Sequence, residues 1–368
     1  LSLAAGKDTI ISLTSMLPKQ KTGKEYLLSI SFHLRKDMPW AKAGHEVARN
    51  QFALSGLPTL LPAKPSGGKL VIRQNGDVFI VDGKDFQIKF DKKNGALSSY
   101  FSGEKEQVVR PMLPDFTCPL TDNDRRGWKA QEKLKEWYKS KPELKDFTIQ
   151  KELSGEVKAQ SIYQLIDGKA NATVNYSINS GGVVKVDFQL KADTKLANIP
   201  KIGMNCGIAD DFRQITWYGR GLQENYIDRR TGFEVGIYSL PLSQFMEPYV
   251  VPQENGNRTD IRWIYLSNKS QQGLLVVADS LLSMSAWPWP EEEFSRVKHV
   301  HELKEAGFVT LNIDLVQMGV GGSDSWSDVA APLEKYQVKP GNYSYSFYLY
   351  PAKMKDEEVS KNWEKLKF

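Results

Sequence analysis

Val184, Val186, Phe188 and Leu190 recur at every second position. A chain that sends successive side chains to opposite faces produces this pattern when one face is buried, and an α-helix would scatter it around its axis. The segment therefore reads as a strand, and much of the chain repeats the theme. Residues 86–90, 274–277, 309–315 and 343–350 are further strand candidates. Residues 69–73 and 78–81 flank Asn75-Gly76, a dipeptide that tolerates positive φ and predicts a tight hairpin. Asp91-Lys92-Lys93-Asn94-Gly95 predicts a second turn. Helix is confined to 129–139, charged and amphipathic, and to 355–366 at the end. Many strands, short turns and little helix specify an antiparallel β-sandwich.

The 368 residues are 40% hydrophobic and 25% charged, enough apolar material for a sizeable core in two domains, or in one large β-domain with an appendage. Residues 57–68 are rich in proline and glycine and read as a linker. Before it, 1–56 hold only two or three strands, such as 26–34. So few strands cannot bury an apolar face, so this part is expected to be a piece of a small β-domain whose other half lies elsewhere. The remainder, 69–368, is the main domain.

The net charge of +5 is spread along the chain, with no basic stripe interleaved with stacking aromatics, which argues against nucleic acid as a partner. No apolar run is long enough to cross a bilayer, so no membrane partner is expected. Cys118 and Cys206 match no zinc or redox spacing and read as two buried thiols, with a disulfide as the alternative. Oxidising and reducing compartments both tolerate that, so cytoplasm and periplasm stay open. No Gly-x-Ser-x-Gly elbow and no phosphate-cradling glycine loop is present.

Two carboxylates tempt. Glu224 lies in Gln223-Glu224-Asn225-Tyr226, and Glu254 in Gln253-Glu254-Asn255-Gly256. A retaining glycosidase needs two carboxyl groups roughly 5 Å apart. The plainer reading is that each Glu-Asn pair fixes a loop through backbone hydrogen bonds. His299 and His301, on a probable strand, could point to one side as a metal or acid/base pair, although a partly exposed strand face explains them as well. Aromatic rings offer flat surfaces to sugars, and two loops could present them. One is Trp287-Pro288-Trp289-Pro290, stiffened by prolines, and the other is Gly321-Gly322-Ser323-Asp324-Ser325-Trp326.

Six ordered motifs then resemble one family. They are Trp40-Ala41-Lys42-Ala43-Gly44-His45, Phe90-Asp91-Lys92-Lys93-Asn94-Gly95-Ala96-Leu97 and Pro119-Leu120-Thr121-Asp122-Asn123-Asp124, then the segments 217–226, 249–256 and 318–326. Together they are similar to the C-terminal, small-chain region of the large bacterial β-galactosidases of glycoside hydrolase family 2. The resemblance implies the end of an immunoglobulin-like fourth domain over 1–56. Over 69–368 it implies a large antiparallel supersandwich of the galactose mutarotase type. It implies hydrolysis of terminal β-D-galactosides with retention. In the family the catalytic glutamates, Mg²⁺ and a monovalent cation sit on an earlier (β/α)₈ barrel, and no segment of this sequence matches it. The resemblance therefore implies no catalytic residue and no metal ligand here. That barrel, in cis or as a large subunit, and a β-galactoside become the expected partners, with homo-oligomers in the complete enzyme.

By the same resemblance Trp326 falls on a tryptophan that lines the galactoside pocket and stacks on the leaving-group sugar. Asp122, Asn123 and Asp124 match the start of a mobile loop, with Gly127 as its hinge. The sequence departs from the family there, with Arg125-Arg126 before the glycine and a different continuation at Trp128. The expectation is an accessory domain, inactive alone. The alternatives are a free-standing carbohydrate-binding module, which would bind galactose unaided through Trp326, and a mutarotase-like epimerase, which would need His299 or His301 beside a carboxylate.

Overall fold

The computed structural model describes residues 3–21, 24–57 and 68–363. The chain forms two compact units, 1–59 and 60–368. The stretch expected as a linker falls almost wholly outside the described residues.

In the first unit, strands Leu27–His33 and Glu46–Ala53 pair antiparallel. Gly44, at φ +87°, supplies the left-handed residue that turns the chain back, and its N–H donates to Leu34 O at 2.8 Å. Phe32, Trp40, Val47 and Phe52 remain exposed, as two strands have no second layer to cover them.

In the second unit, sixteen strands join in one hydrogen-bonded network. Every pairing is antiparallel. Four hairpin-like connections carry the chain from Val71–Asn75 to Lys105–Asp115. The ladder then leaves sequence order. Lys105–Asp115 pairs with Lys201–Ala209, which pairs with Phe308–Gln317. The long strand Gln272–Trp287 follows, then Asn342–Lys353 and Val184–Ala192. The alternation that identified this last strand is obeyed: Val184, Val186, Phe188 and Leu190 are all buried. The expected antiparallel β architecture is therefore what the chain adopts.

Three local expectations need correction. The first hairpin turns on Gly76-Asp77, because Asn75 still pairs with Val78, and glycine takes the positive φ of +56° at the first loop position. The helix expected over 129–139 is two short turns, Ala130–Lys133 and Lys135–Lys139, broken where Leu134 leaves helical geometry at φ −107°. Tertiary contact sets that break: Trp137 is buried and donates its indole N–H to Ala197 O at 2.9 Å. The terminal helix spans Asp356–Asn362, and residues 364–366 of the expected helix lie outside the described residues. Val359 and Trp363 pack on Trp263 and Tyr265, forming a second, smaller core on the sheet. Among the described residues no helix is long and apolar enough to cross a membrane.

Candidate functional site

Four segments far apart in sequence converge at one end of the large unit. The first is a helical turn, Asn123–Gly127. Asp124, buried at its start, accepts from Thr121 N at 2.9 Å, Thr121 Oγ1 at 2.7 Å and the Trp128 indole at 2.9 Å. Burial raises its carboxyl above the usual range, and these three donors oppose the rise. Gly127 is required by close approach and not by a left-handed backbone, since a Cβ there would sit 2.3 Å from Ala330 Cβ.

The second segment carries Trp326. Strand Phe308–Gln317 ends, and the chain enters a glycine-rich loop. Asp228 Oδ2 accepts from Val320 N at 3.0 Å and Gly321 N at 2.8 Å, clamping its base. Asp324 accepts from Trp326 N at 3.2 Å, Ser327 N at 3.1 Å and Ser327 Oγ at 2.6 Å, closing a tight turn. Held this way, the Trp326 side chain is turned outward and the residue is 77% exposed. The two elements singled out in the sequence meet. Asn123 Nδ2 donates to Asp324 O at 3.4 Å, and Lys133 pairs with Asp328 at 2.6 Å.

The third and fourth segments contain Glu224 and Glu254, which line one cavity of about 480 Å³ together with Asn123 and Ser323. Glu224 is buried and fully engaged, accepting from Arg229, the Tyr249 hydroxyl and Gly256 N. Glu254 is buried and accepts from Tyr226 OH at 3.2 Å. Desolvation lifts the Glu254 carboxyl well above the usual range, although the Lys201 ammonium nearby pulls the other way. The neighbouring asparagines tie the loops. Asn225 Oδ1 accepts from Thr259 N at 2.9 Å, and Asn255 Nδ2 donates to Gln253 O at 2.9 Å. The geometry is that of two carboxylates holding loops through backbone and tyrosine donors.

Behind the cavity, Lys201 is buried with Asp115 at 2.7 Å and Glu291 at 3.6 Å, and its ammonium donates to Asn312 Oδ1 at 3.3 Å. Asp314 is buried close by, where Gly203 leaves it room. Cys118 and Cys206 are free and buried, and burial raises both thiols. Among the described residues no group of three or more His, Cys, Asp or Glu is placed to hold a metal.

Two other sequence candidates lie apart from this cavity. His299 and His301 are not on a strand. His299 precedes and His301 lies within a short helical turn on the surface, Val300–Glu302, with rings stacked at 5.5 Å, and Glu302 caps it by accepting from Lys298 N and His299 N. Neither lines the cavity, so the acid/base pair an epimerase would need does not assemble there. The Trp287–Pro290 stretch does not display its rings either. Trp287 is wholly buried, donates to Asn255 O at 3.0 Å and packs on Phe294, as does Trp289. Sequence reasoning missed Asp228 and Arg229, although they directly continue the 217–226 motif.

Comparison with known proteins adds family evidence. A family model described as the beta galactosidase small chain matches residues 82–349, and one described as beta-galactosidase domain 4 matches residues 1–55. A beta-galactosidase of Priestia megaterium is 31% identical over 329 residues, covering 89% of this chain and 32% of that protein. One of Halalkalibacterium halodurans is 29% identical over 323 residues, covering 86% of this chain and 31% of that protein. The chain thus spans about a third of the length of these curated relatives. Among solved structures, a putative mutarotase (YeaD) from Salmonella typhimurium aligns with a TM-score of 0.41 at 12% identity, covering 80% of this chain and 97% of that one.

Proposed function

Because this chain belongs to the β-galactosidase small-chain family, we propose that it is the accessory part of a retaining β-galactosidase of glycoside hydrolase family 2, lending the galactoside pocket a wall centred on Trp326. The observation that carries this reading is the exposure of Trp326 on a loop held rigid by Asp324 and Asp228. An indole held at 77% exposure contributes nothing to a core, whereas a fixed ring positions a sugar and lowers the entropic part of a barrier without proton transfer.

The catalytic glutamates, Mg²⁺ and a monovalent cation belong in this reading to a barrel outside the chain. Glu224 and Glu254 support that division, since one is engaged by three donors and the other is buried against a tyrosine hydroxyl. The turn holding Asp122, Asn123 and Asp124 touches the Trp326 loop and is the segment we assign to closure over substrate, with Gly127 at its end. The exposed apolar side chains of 1–55 are assigned to contact with the rest of an immunoglobulin-like domain.

Steady-state kinetics of the complete enzyme tests the assignment. Trp326→Ala is expected to lower kcat/KM for lactose by about tenfold or more, roughly 1.4 kcal/mol, while Trp326→Phe retains most of the activity. Unchanged kinetics in Trp326→Ala would remove the stacking role.

A further inference from the structure

The Trp326 loop divides into a self-bonded tip and a glycine-rich stem. In the tip, Ser323 N donates to Val329 O at 2.8 Å, Ala330 N donates to Ser327 O at 3.0 Å, and Asp324 closes the turn around Trp326. Gly322 lies so close to Ala330 that a Cβ would meet its backbone at 2.3 Å. These contacts are internal, so residues 322–330 hold their shape as one unit. The stem joining that unit to strand Phe308–Gln317 contains Gly319, Val320 and Gly321. Glycine leaves the backbone many conformations, so the stem alone gives the tip no fixed direction.

Asp228 removes that freedom. Its Oδ2 accepts from both stem amides, Val320 N at 3.0 Å and Gly321 N at 2.8 Å. Hydrogen bonds to a carboxylate are markedly stronger than neutral ones. The approach depends on Gly319, where a Cβ would sit 2.8 Å from Asp228 Cγ. The carboxylate is itself held in place. It lies in a turn where Arg229 N donates to Tyr226 O at 2.9 Å. Tyr226 is buried and donates to Glu254 at 3.2 Å, while Arg229 pairs with Glu224. The tip has a second attachment, through Gly127 against Ala330 and Lys133 to Asp328, but this one runs to the Asn123 turn, the segment assigned to closure. Asp228 thus ties the tip to the buried frame, and the other attachment ties it to the part assigned to move.

We propose that Asp228 is a positioning residue for galactoside hydrolysis: by holding Val320 and Gly321 it sets the direction of the 322–330 unit, and with it the plane of the Trp326 indole. The kinetic half of this proposal rests on the Trp326 reading, and the mechanical half does not. The mechanical half is tested on the purified chain by ¹⁵N relaxation of the Trp326 indole N–H, assigned through its loss in Trp326→Phe. Asp228→Ala is expected to lower its order parameter below about 0.6, the range of flexible segments. Asp228→Asn, which keeps an acceptor oxygen for the stem amides, should stay close to the unsubstituted chain. The kinetic half is tested in the complete enzyme. Asp228→Ala should lower kcat/KM for lactose about fivefold when Trp326 is present and less than about twofold in the Trp326→Ala background, as coupled neighbours do. Should Asp228→Ala melt far below the unsubstituted chain, Gly319→Ala, which keeps the carboxylate but displaces it, carries the same two tests. An indole as ordered in the variant as in the unsubstituted chain overturns the proposal. So do losses that multiply in the double variant, since Asp228 would then act independently of the indole. Kinetics sensitive to Trp326→Ala and indifferent to Asp228→Ala sink this proposal alone. Kinetics indifferent to Trp326→Ala sink the Trp326 reading, and the kinetic role of Asp228 with it.

Discussion

Lys201 is a single buried ammonium near the carboxyl groups of Asp115, Glu291 and Asp314. One cation cannot balance three carboxylates around it, one of them, Asp314, wholly buried and the other two only partly exposed. Burial, then the charge of Asp115, raises the Glu291 carboxyl. Burial pushes Asp314 up to about 7, against the pull of Lys201 and with a further rise from Asp115. An acid whose folded pKa exceeds its unfolded value holds a proton that the unfolded chain has released. Its stabilising contribution is complete below the unfolded pKa and fades as pH rises through the folded one. For Asp314 that window runs from about 4 to about 7. Denaturant melts are expected to show stability falling as pH rises across it. Asp314→Asn, which cannot ionise, should flatten that slope, and an unchanged slope in the variant would place the titration elsewhere.

At the scale of elements, the contact between the Asn123–Gly127 turn and the 328–330 turn joins the two candidate loops. Gly127→Ala would force a methyl group to within 2.3 Å of Ala330 Cβ, so one turn must give way. Overpacking of this kind typically costs about 1–3 kcal/mol, and thermal unfolding of the chain should report a lowered Tm. In the complete enzyme a displaced loop is expected to change kcat and KM together. A melt identical to that of the unsubstituted chain would mean that the turn separates from its neighbour at no cost. The Asp228 clamp works at the same scale, with one carboxylate fixing the base of a loop whose tip carries Trp326.

For the whole molecule, the central ladder joins strands remote in sequence: Lys105–Asp115 to Lys201–Ala209, and that strand to Phe308–Gln317. Such non-local pairing closes long loops before contacts repay them, so refolding should be slow compared with helical proteins of similar size. Within the proposed function, the purified chain is expected to release no nitrophenol from a nitrophenyl β-galactoside beyond the buffer rate. Robust turnover that disappears in Glu224→Gln or Glu254→Gln would return catalysis to this chain.

Backbone chemistry visible in short windows was enough to mark several strands and to place a hairpin near Gly76, although the turn itself sits one residue later than the Asn75-Gly76 pair suggested and strands such as Ala170–Ile178 and Lys201–Ala209 were not singled out. The alternation at Val184, Val186, Phe188 and Leu190 predicts a one-sided strand, because pleat geometry depends only on neighbours. Motif order likewise marked Trp326 and the Asn123 turn as candidates. Exposure was beyond such windows. Trp287 and Trp326 both sit beside proline- or glycine-rich stretches, yet one is wholly buried and the other points outward. The meeting of Asn123 with Asp324 joins residues 201 positions apart, and the Asp228 clamp spans 93. Burial, the ion pairing of Glu224 and the raised carboxyls around Lys201 follow from which remote strands and loops lie together, and only the folded chain decides that.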